Sequence, residues 1–342
     1  MLGKITYLFI AVGVGGVFSW LQVPAGWLLG SLLAGIVSAF FIKKVMLSDR
    51  LFKYSLAMIG GSIGFMLRPE QFLHYHTLLL PFLLTLILTL IGGLLLGRFL
   101  KRYSALNANT AFFCCLPGGA SEVIALSKEY GADQRIVAAF HTTRITFFVF
   151  TIPLVVGLYV PTATDVIGSR ISWGESTLAL LTLACVMLLT LIFSKYIHFP
   201  GGALFFAIGL GFVAHLLLPT VEMPGFVTGI AQGIMGAIIG MRFDRDTFME
   251  LRNIGAVSAL TLLLYFVMSM GLALVFWGLT PIGWFTSLLS IVPAGAAEMA
   301  STATALGIEP AMVATLQMAR VLALFLALPF LIKWFATPVK EV

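Results

Sequence analysis

Two stretches of this sequence align with each other without a gap. LPGGASEVIALSKEYGAD at residues 116–133 faces VPAGAAEMASTATALGIE at residues 292–309, an offset of 176 residues. Between residues 117–153 and 293–329, nine of the 37 positions are identical. The same offset relates Pro24-Ala25-Gly26 to Pro200-Gly201-Gly202, and Gly60 and Gly64 to Gly236 and Gly240. Because one offset holds over three separate segments, the sequence predicts a duplicated structural unit.

The composition indicates the solvent in which these units fold. Of 342 residues, 60% are hydrophobic and only 10% are charged, and the mean hydropathy is +1.06. A soluble domain carries about 25% charged residues. Apolar stretches near the ~20 residues needed to cross a bilayer recur along the chain. The sequence therefore predicts an all-α polytopic membrane protein whose main partner is the lipid bilayer.

The charged residues and cysteines exclude several classes of function. The net charge of +6 comes from short basic clusters between apolar segments, which is typical of membrane orientation signals and not of a nucleic-acid partner. Cys114, Cys115 and Cys185 lie in apolar segments, so we expect neither a metal site nor a disulfide framework. The P-loop motif GxxxxGK[ST] of ATP-driven transporters is not found. We predict no cofactor.

The repeat sets the domain organisation. We expect a first membrane repeat at residues 1–160, a linker at 161–175 and a second membrane repeat at 176–342. Each repeat is predicted to contain six helical pieces. In the first repeat they are 4–20, 24–42, 51–67, 78–100, 107–131 and 134–160; in the second they are 176–194, 200–217, 226–243, 253–279, 283–306 and 309–335.

The fifth piece of each repeat is interrupted by a Pro-Gly element. We call residues 117–119 the first tip and residues 293–295 the second tip. Each tip leaves two arms of about 10–12 residues, which is half a membrane thickness at about 1.5 Å per residue. Such a piece either crosses the membrane as a broken helix or turns back as a re-entrant hairpin.

The distribution of basic residues favours the re-entrant alternative. In that case each repeat has five spans, the second repeat is inverted, and 16 of the 20 Lys and Arg residues fall on the cytoplasmic side when the N-terminus is cytoplasmic. Arg68 and Arg170 then lie outside, and Arg144 and Arg320 lie within the membrane. The prediction is a transporter-like membrane protein of ten spans, with both termini cytoplasmic.

The two tips are the candidate site. Broken backbone at membrane depth is tolerated where it lines a cavity, and inverted repeats with interrupted helices are the recurrent plan of secondary transporters. Free N–H groups at the helix starts after each tip suit an anion, although a Pro-Gly kink could serve packing alone. The candidate substrate-binding residues are Pro117, Gly118, Gly119, Glu122, His141 and Arg144 in the first repeat, and Pro293, Ala294, Gly295, Glu298, Gln317 and Arg320 in the second.

The ionisable candidates permit more than one interpretation. Glu122 and Glu298 either complement a helix dipole or form a proton or cation site. We expect Arg144 and Arg320 to pair with these glutamates, either as structural pairs or in contact with an anionic substrate. His141 and Gln317 occupy equivalent positions beside the arginines and either line the cavity or bond helix to helix.

The element LPGGASEVIALSKEYGADQRIVAAFHTTR resembles the bacterial membrane protein family named AbrB, or AbrB duplication family, over essentially the whole chain. The resemblance rests on a twice-repeated Pro-Gly-Gly element, a short helix, a Gly-Ala-Asp turn and an Arg in the next helix. The second copy departs from it, since Ala294 replaces the middle glycine, and Glu122 is not carried over from the family pattern. The resemblance implies a fold similar to that of the cation/proton-antiporter and anion-transporter superfamily.

Members of that family are described as regulators of gene expression and are often labelled ammonia monooxygenase. Five scattered histidines offer no copper or iron site, so we do not predict an enzyme. The favoured hypothesis is a secondary transporter of a small solute, for which an anion is one candidate class. The alternative is a channel or membrane sensor that acts indirectly on gene expression. A homo-oligomer is left open.

Overall fold

The structure is a computed structural model that describes residues 2–41, 47–159, 173–197, 201–218 and 224–335. Within these ranges there are helices and no strand. The helices are α1 Leu2–Trp20, α2 Gly26–Phe41, α3 Asp49–Met66, α4 Leu79–Tyr103, α5 Ala108–Cys115, α6 Ala120–Glu129, α7 Gln134–Gly157, α8 Trp173–Tyr196, α9 Gly202–Leu217, α10 Gly225–Arg242, α11 Arg245–Ile254, α12 Ala256–Leu279, α13 Trp284–Ile291, α14 Ala296–Leu306 and α15 Pro310–Phe335. Most of the expected linker 161–175, Lys43, Lys44, Pro200 and the last seven residues lie outside the described residues.

The helix positions follow the spacing of the sequence repeat. Helices α2, α3, α5, α6 and α7 begin at residues 26, 49, 108, 120 and 134, and α9, α10, α13, α14 and α15 begin 176 residues later. A 3-10 segment at Pro69–Leu78 has its counterpart in α11 at Arg245–Ile254. The six pieces predicted for each repeat did not include this short element. In the second repeat its end depends on Gly255 at φ +84°, a conformation that the apolar pattern does not reveal.

The structure agrees with a membrane protein. Six of the described helices are long and apolar enough to cross a bilayer: His76–Tyr103, Gln134–Gly157, Thr177–Tyr196, Gly225–Arg242, Ala256–Leu279 and Pro310–Phe335. Three shorter apolar helices, Lys4–Trp20, Gly26–Phe41 and Gly202–Leu217, accompany them. Large apolar side chains such as Phe9 (75% exposed) and Leu80 (79% exposed) face outward. A protein in water would bury most such groups, whereas hydrocarbon solvates them.

The helices form two bundles that each draw on both repeats. The first bundle contains α1–α3 and α8–α10, in which α2 packs on α10, α3 on α9, α1 on α2, and α8 on α9. The second bundle contains α4–α7 and α12–α15, in which α4 packs on α12, α5 on α7, and α13 on α15. Each contact has an equivalent in which every helix is replaced by its counterpart in the other repeat: α2 on α10 corresponds to α9 on α3, and α5 on α7 corresponds to α13 on α15. Two copies related by a two-fold rotation are expected to pack in this way.

Glycines bring the helices of the first bundle into backbone contact. A Cβ atom added at Gly64 would collide with the carbonyl oxygen of Ile208 on α9, and one added at Gly240 would collide with that of Leu32 on α2. These two glycines are repeat equivalents, so the same close approach occurs twice. Without a hydrophobic driving force in lipid, close packing of small residues supplies the attraction between helices.

Both broken pieces form helical hairpins within the second bundle. In the first, the Asn107 side chain accepts from the Thr110 N–H at 2.6 Å and caps the first arm. Asn109 donates to the Tyr130 carbonyl at 2.7 Å, and the Asp133 N–H donates to Thr110 Oγ1 at 2.8 Å. The start of α5 therefore lies beside the end of α6, and the chain turns back at the first tip.

Candidate functional site

The two tips line one cavity, which we call the central cavity, of about 210 Å³. The hairpins supply Gly118, Gly119, Ala120, Ser121 and Glu122 on one side, and Pro293, Gly295, Ala296, Ala297 and Glu298 on the other. The remaining lining residues are Phe52, Leu56, Arg144, Ile145, Gly201, Leu204, Arg242, Met318, Arg320, Val321 and Leu324. Phe52, Leu204 and Arg242 come from the first bundle, so the cavity lies where the bundles meet.

Eight of the twelve candidate residues line the central cavity: Gly118, Gly119, Glu122, Arg144, Pro293, Gly295, Glu298 and Arg320. The other four lie behind this surface. Pro117 and Ala294 are buried in the two tips, and His141 and Gln317 are fully buried beside the arginines. Ala294 is 0% exposed whereas Gly118 is half-buried, in line with a second tip that is less open than the first.

In the second repeat, Arg320 closes the C-terminal end of α13. Its Nη1 donates to the carbonyls of Ile291 (2.9 Å) and Val292 (2.8 Å), and its Nη2 donates to Gln317 Oε1 (2.5 Å). Gln317 Nε2 in turn donates to the Leu289 carbonyl at 2.5 Å. The last carbonyls of a helix have no intrahelical partner and carry the negative end of its dipole. Arg320 and Gln317 together satisfy these carbonyls.

The first repeat contains the same arrangement with one part missing. Arg144 Nη2 lies 3.1 Å from His141 Nδ1, and His141 Nε2 lies 2.9 Å from the Phe113 carbonyl, the equivalent of Leu289. Because a guanidinium only donates, Nδ1 accepts and Nε2–H donates to the carbonyl. Arg144 Nε and Nη1, however, have no hydrogen-bond partner, although the residue is only 2% exposed. The guanidinium carbon of Arg144 also lies 4.9 Å from the centre of the Tyr265 ring, a cation–π contact.

The expected pairing of arginine with glutamate is wrong for Arg320, whose terminal nitrogens donate to two carbonyls and to Gln317. It also does not hold for Arg144, whose hydrogen bond goes to His141 while two of its nitrogens stay unpartnered. The sequence shows that a buried arginine needs acceptors. It does not show that the broken helix itself exposes carbonyl acceptors at the same depth.

The two glutamates lie in the first turns of α6 and α14, and their surroundings differ. Glu298 is 7% exposed, and a Cβ atom added at Gly295 would collide with its carboxylate, which therefore lies over the start of α14. Gly295 has φ +100°, so a side chain is disfavoured there on two grounds. Glu122 is half-buried at the cavity wall, and the cap residues Gly119 and Gly295 both give no side-chain hydrogen bond. The carboxylate thus covers the helix start at the second tip.

A second cavity, of about 460 Å³, which we call the vestibule, shares one lining residue with the first. Its charged lining residues are Asp49, Arg135, Arg242, Asp244, Asp246 and Glu250. Arg242 lines both cavities, and its guanidinium carbon lies 4.7 Å from the centre of the Phe52 ring. Arg242 and Phe52 therefore stand between the vestibule and the central cavity.

Sequence reasoning missed Arg242 and Phe52 as site residues. A cluster such as Arg242, Arg245 and Arg252 after an apolar helix is typical of the orientation charges at a membrane edge, and it does not by itself indicate a binding site. Arg242 ends α10, directly after the glycine-rich face that packs on α2. The repeat gives no signal for Arg242, because the equivalent position in the first repeat is Met66.

Comparison with known proteins decides the family. The model of the family described as transition state regulatory protein AbrB matches residues 27–336. The chain belongs to the AbrB family. The resemblance inferred from the repeated Pro-Gly element is thereby confirmed.

Two relatives match this AbrB-family chain along nearly its whole length. The protein named "Putative regulator AbrB" of Escherichia coli (strain K12) is 26% identical over 346 residues, covering 98% of this chain and 96% of its own length. The protein named "Uncharacterized protein YhjN" of Bacillus subtilis (strain 168) is 24% identical over 363 residues, covering 96% of this chain and 92% of its own length.

Among the described residues, no group of three or more His, Cys, Asp or Glu side chains is placed to hold a metal ion.

Proposed function

We propose that this protein is a secondary transporter that binds a small anionic solute in the central cavity. The observation that carries the proposal is the single cavity lined by both tips, whose wall includes Arg144, a residue with two buried guanidinium nitrogens that have no hydrogen-bond partner. Buried donors without acceptors are rare in proteins, and such a group is costly unless a ligand completes it. A transported anion would supply the missing acceptors while it is bound and would then be released.

Charge and dipole favour an anion over a cation. Three arginines and two glutamates line the central cavity, which leaves a formal charge of +1. Helices α6 and α14 both begin at the cavity wall and direct the positive ends of their dipoles toward it. Discontinuous helices in transporters present their N-termini to anionic groups in this way.

We further propose inverted repeats of five spans and one re-entrant hairpin each, in the bacterial inner membrane with both termini cytoplasmic. Three observations support this topology. The ends of the first hairpin meet through Asn109 and Thr110, the helix contacts recur with the repeats exchanged, and the basic residues then collect on one side. In this arrangement the second hairpin enters from the opposite side of the membrane.

Cysteine labelling tests the inversion. Ala105 and Pro281 are repeat equivalents, both exposed, just before the first and the second hairpin. We expect a membrane-impermeant thiol reagent added to intact spheroplasts to modify Pro281→Cys and to leave Ala105→Cys unmodified until the membrane is opened. The cysteines Cys114, Cys115 and Cys185 are replaced by serine or alanine in the background. Modification of both positions from the same side would contradict inverted repeats.

The vestibule indicates how the solute reaches its site. Arg242 and Phe52 separate it from the central cavity, and its residues lie at the ends of α3, α7 and α10 that the proposed topology places on the cytoplasmic side. The structure then corresponds to a state with an open approach from the cytoplasm and a narrow passage at Arg242. Alternating access requires a second state in which the opposite side opens.

Solute flux is the direct test. The purified chain is reconstituted into proteoliposomes, and uptake of radiolabelled organic and inorganic anions is measured with and without an imposed proton gradient, beside protein-free liposomes. We expect saturable uptake of at least one anion. Uptake indistinguishable from that of protein-free liposomes across the panel, with a correctly folded protein, would rule out the transporter proposal for these solutes.

The alternative function is a membrane sensor that acts indirectly on gene expression. The name of the Escherichia coli relative, which calls it a regulator, favours it. A sensor would use the same cavity, since recognition needs the same donors. One measurement distinguishes a sensor from a transporter: a sensor binds the ligand in the purified state but gives no solute flux in proteoliposomes.

A further inference from the structure

The two repeats hold their tip arginines differently, and this difference locates the binding groups. Arg320 Nη1 binds the carbonyls of Ile291 and Val292, whereas the equivalent nitrogen of Arg144 binds no acceptor. One contact is the same in both repeats: Arg144 binds His141 and Arg320 binds Gln317, in each case the side chain three residues earlier. The first repeat therefore has two buried guanidinium nitrogens, Arg144 Nε and Nη1, that a ligand could occupy.

The helix starts differ in the same sense. At the second tip the Glu298 carboxylate already lies over the start of α14, where it supplies a built-in negative charge. The cap residues Gly119 and Gly295 both lack a side-chain hydrogen bond, but Ser121 in the first turn of α6 is exposed whereas the equivalent Ala297 is buried. The N-terminus of a helix and a guanidinium are both donors suited to a carboxylate. The first tip has the equivalent Glu122, but this side chain is only half-buried, so the start of α6 is the more open of the two helix starts.

The rest of the central cavity limits the ligand. Its walls away from the tips are mostly apolar and come from Leu56, Ile145, Leu204, Val321 and Leu324. A volume of about 210 Å³ holds about seven waters at ~30 Å³ each, so the ligand is small. Glu122 and Glu298 in the wall repel a second negative charge. A single charge with a short apolar body matches all three features.

We infer that the central cavity binds a small monocarboxylate, with the carboxylate between Arg144 and the start of α6 and the apolar body against Leu204 and Val321. This inference rests on the proposed function for its site and adds the chemical class of the ligand. It also assigns unequal roles to equivalent residues: Arg144 binds the ligand, and Arg320 holds the second hairpin together.

The test uses the full-length protein in lipid nanodiscs. The probes are sodium butyrate, 2-oxobutyrate and benzoate as monocarboxylates, sodium succinate and sulfate as dianions, and butylammonium chloride as a cation of similar shape. Binding is measured by calorimetry and by the rise in unfolding temperature, because a ligand that binds only the folded state raises it. We expect at least one monocarboxylate to bind with one site per chain, and the dianions and the cation to bind at least tenfold more weakly.

Variants locate the carboxylate. Arg144→Gln should weaken monocarboxylate binding by roughly tenfold to a hundredfold, as expected for the loss of a charged hydrogen bond. Arg98→Gln removes the same charge from an exposed position on α4 and should leave the affinity unchanged. Should Arg144→Gln fail to fold, Arg144→Lys keeps the charge, and it should still lose at least several-fold because the position of the donors changes.

Three results would overturn the inference: none of the three monocarboxylates binds, succinate or sulfate binds as tightly as they do, or Arg144→Gln and Arg144→Lys bind them like the unaltered protein. The proposed function fails separately. Monocarboxylate binding without flux keeps the ligand class and removes the transporter, whereas flux of another anion without monocarboxylate binding keeps the transporter and removes the ligand class.

Discussion

Replacing Arg320 by methionine should destabilise the protein, whereas the same replacement at Arg144 should not. Arg320→Met deletes three hydrogen bonds, two of them to the carbonyls of Ile291 and Val292 at the end of α13. The Val292 carbonyl keeps Gln317 Nε2 and the Ala294 N–H as donors, whereas the Ile291 carbonyl and Gln317 Oε1 lose the donor that Arg320 supplies. A buried acceptor left without a donor costs about 1–3 kcal/mol, so we expect a loss of about 3 kcal/mol for the two. For a chain of this length that lowers the unfolding temperature by about 4 °C.

Arg144→Met is the matched control for this prediction, because it stands at the equivalent position of the other repeat. It removes one hydrogen bond to His141 together with two nitrogens that have no partner. Exchanging a buried charge with incomplete bonding for an apolar side chain of similar volume is often neutral or stabilising. The measurement is thermal unfolding of both variants in the same detergent, without added anions. Equal falls in the unfolding temperature would show that the two arginines have the same structural role.

The opposite ranking is expected for transport. Arg144→Gln should reduce solute uptake into proteoliposomes by at least about tenfold, since a hydrogen bond to a charged group contributes about 1.5–3 kcal/mol. The physical reason is that Arg144 lines the central cavity and has two nitrogens without a protein partner. The unfolding temperature should stay close to that of the unaltered protein, which separates this effect from a loss of folded protein.

Arg98→Gln serves as the transport control, because Arg98 is exposed on α4 and does not line the central cavity. Uptake by this variant should match that of the unaltered protein at equal protein-to-lipid ratio. If Arg144→Gln transports at the full rate while remaining folded, the solute does not depend on this guanidinium, and the position of the site has to be sought elsewhere.

Most of the helical pattern could be predicted from the sequence, because the repeat and the apolar stretches both act over many residues. The breaks at Pro117 and Pro293 are strong local signals, since proline and glycine interrupt helices for steric reasons. Asn107 could be recognised as a helix cap for the same kind of local reason, and the structure places it there. Local rules of this type do not need the tertiary contacts.

The partners of the buried arginines could not be predicted in this way. The sequence shows Arg144 and Arg320 as equivalent, and it offers Glu122 and Glu298 as the nearest opposite charges. The structure gives Arg320 the carbonyls of α13, because a broken helix exposes acceptors that no sequence pattern displays. The difference between the repeats was nevertheless visible in one pair: His141 offers one donor and one acceptor where Gln317 offers two donors and an acceptor.

The two-bundle arrangement has a consequence for how a solute could travel. Glycines such as Gly64 and Gly240 place backbone against backbone in the first bundle, so that frame resists deformation. Both hairpins and both tip arginines belong to the other bundle, and the frame supplies only one wall of the cavity. A solute bound at the first tip would then move together with the second bundle as a rigid body, while the first bundle stays in place. Fixing the two bundles to each other by a cross-link between α3 and α15 should stop turnover and leave binding intact.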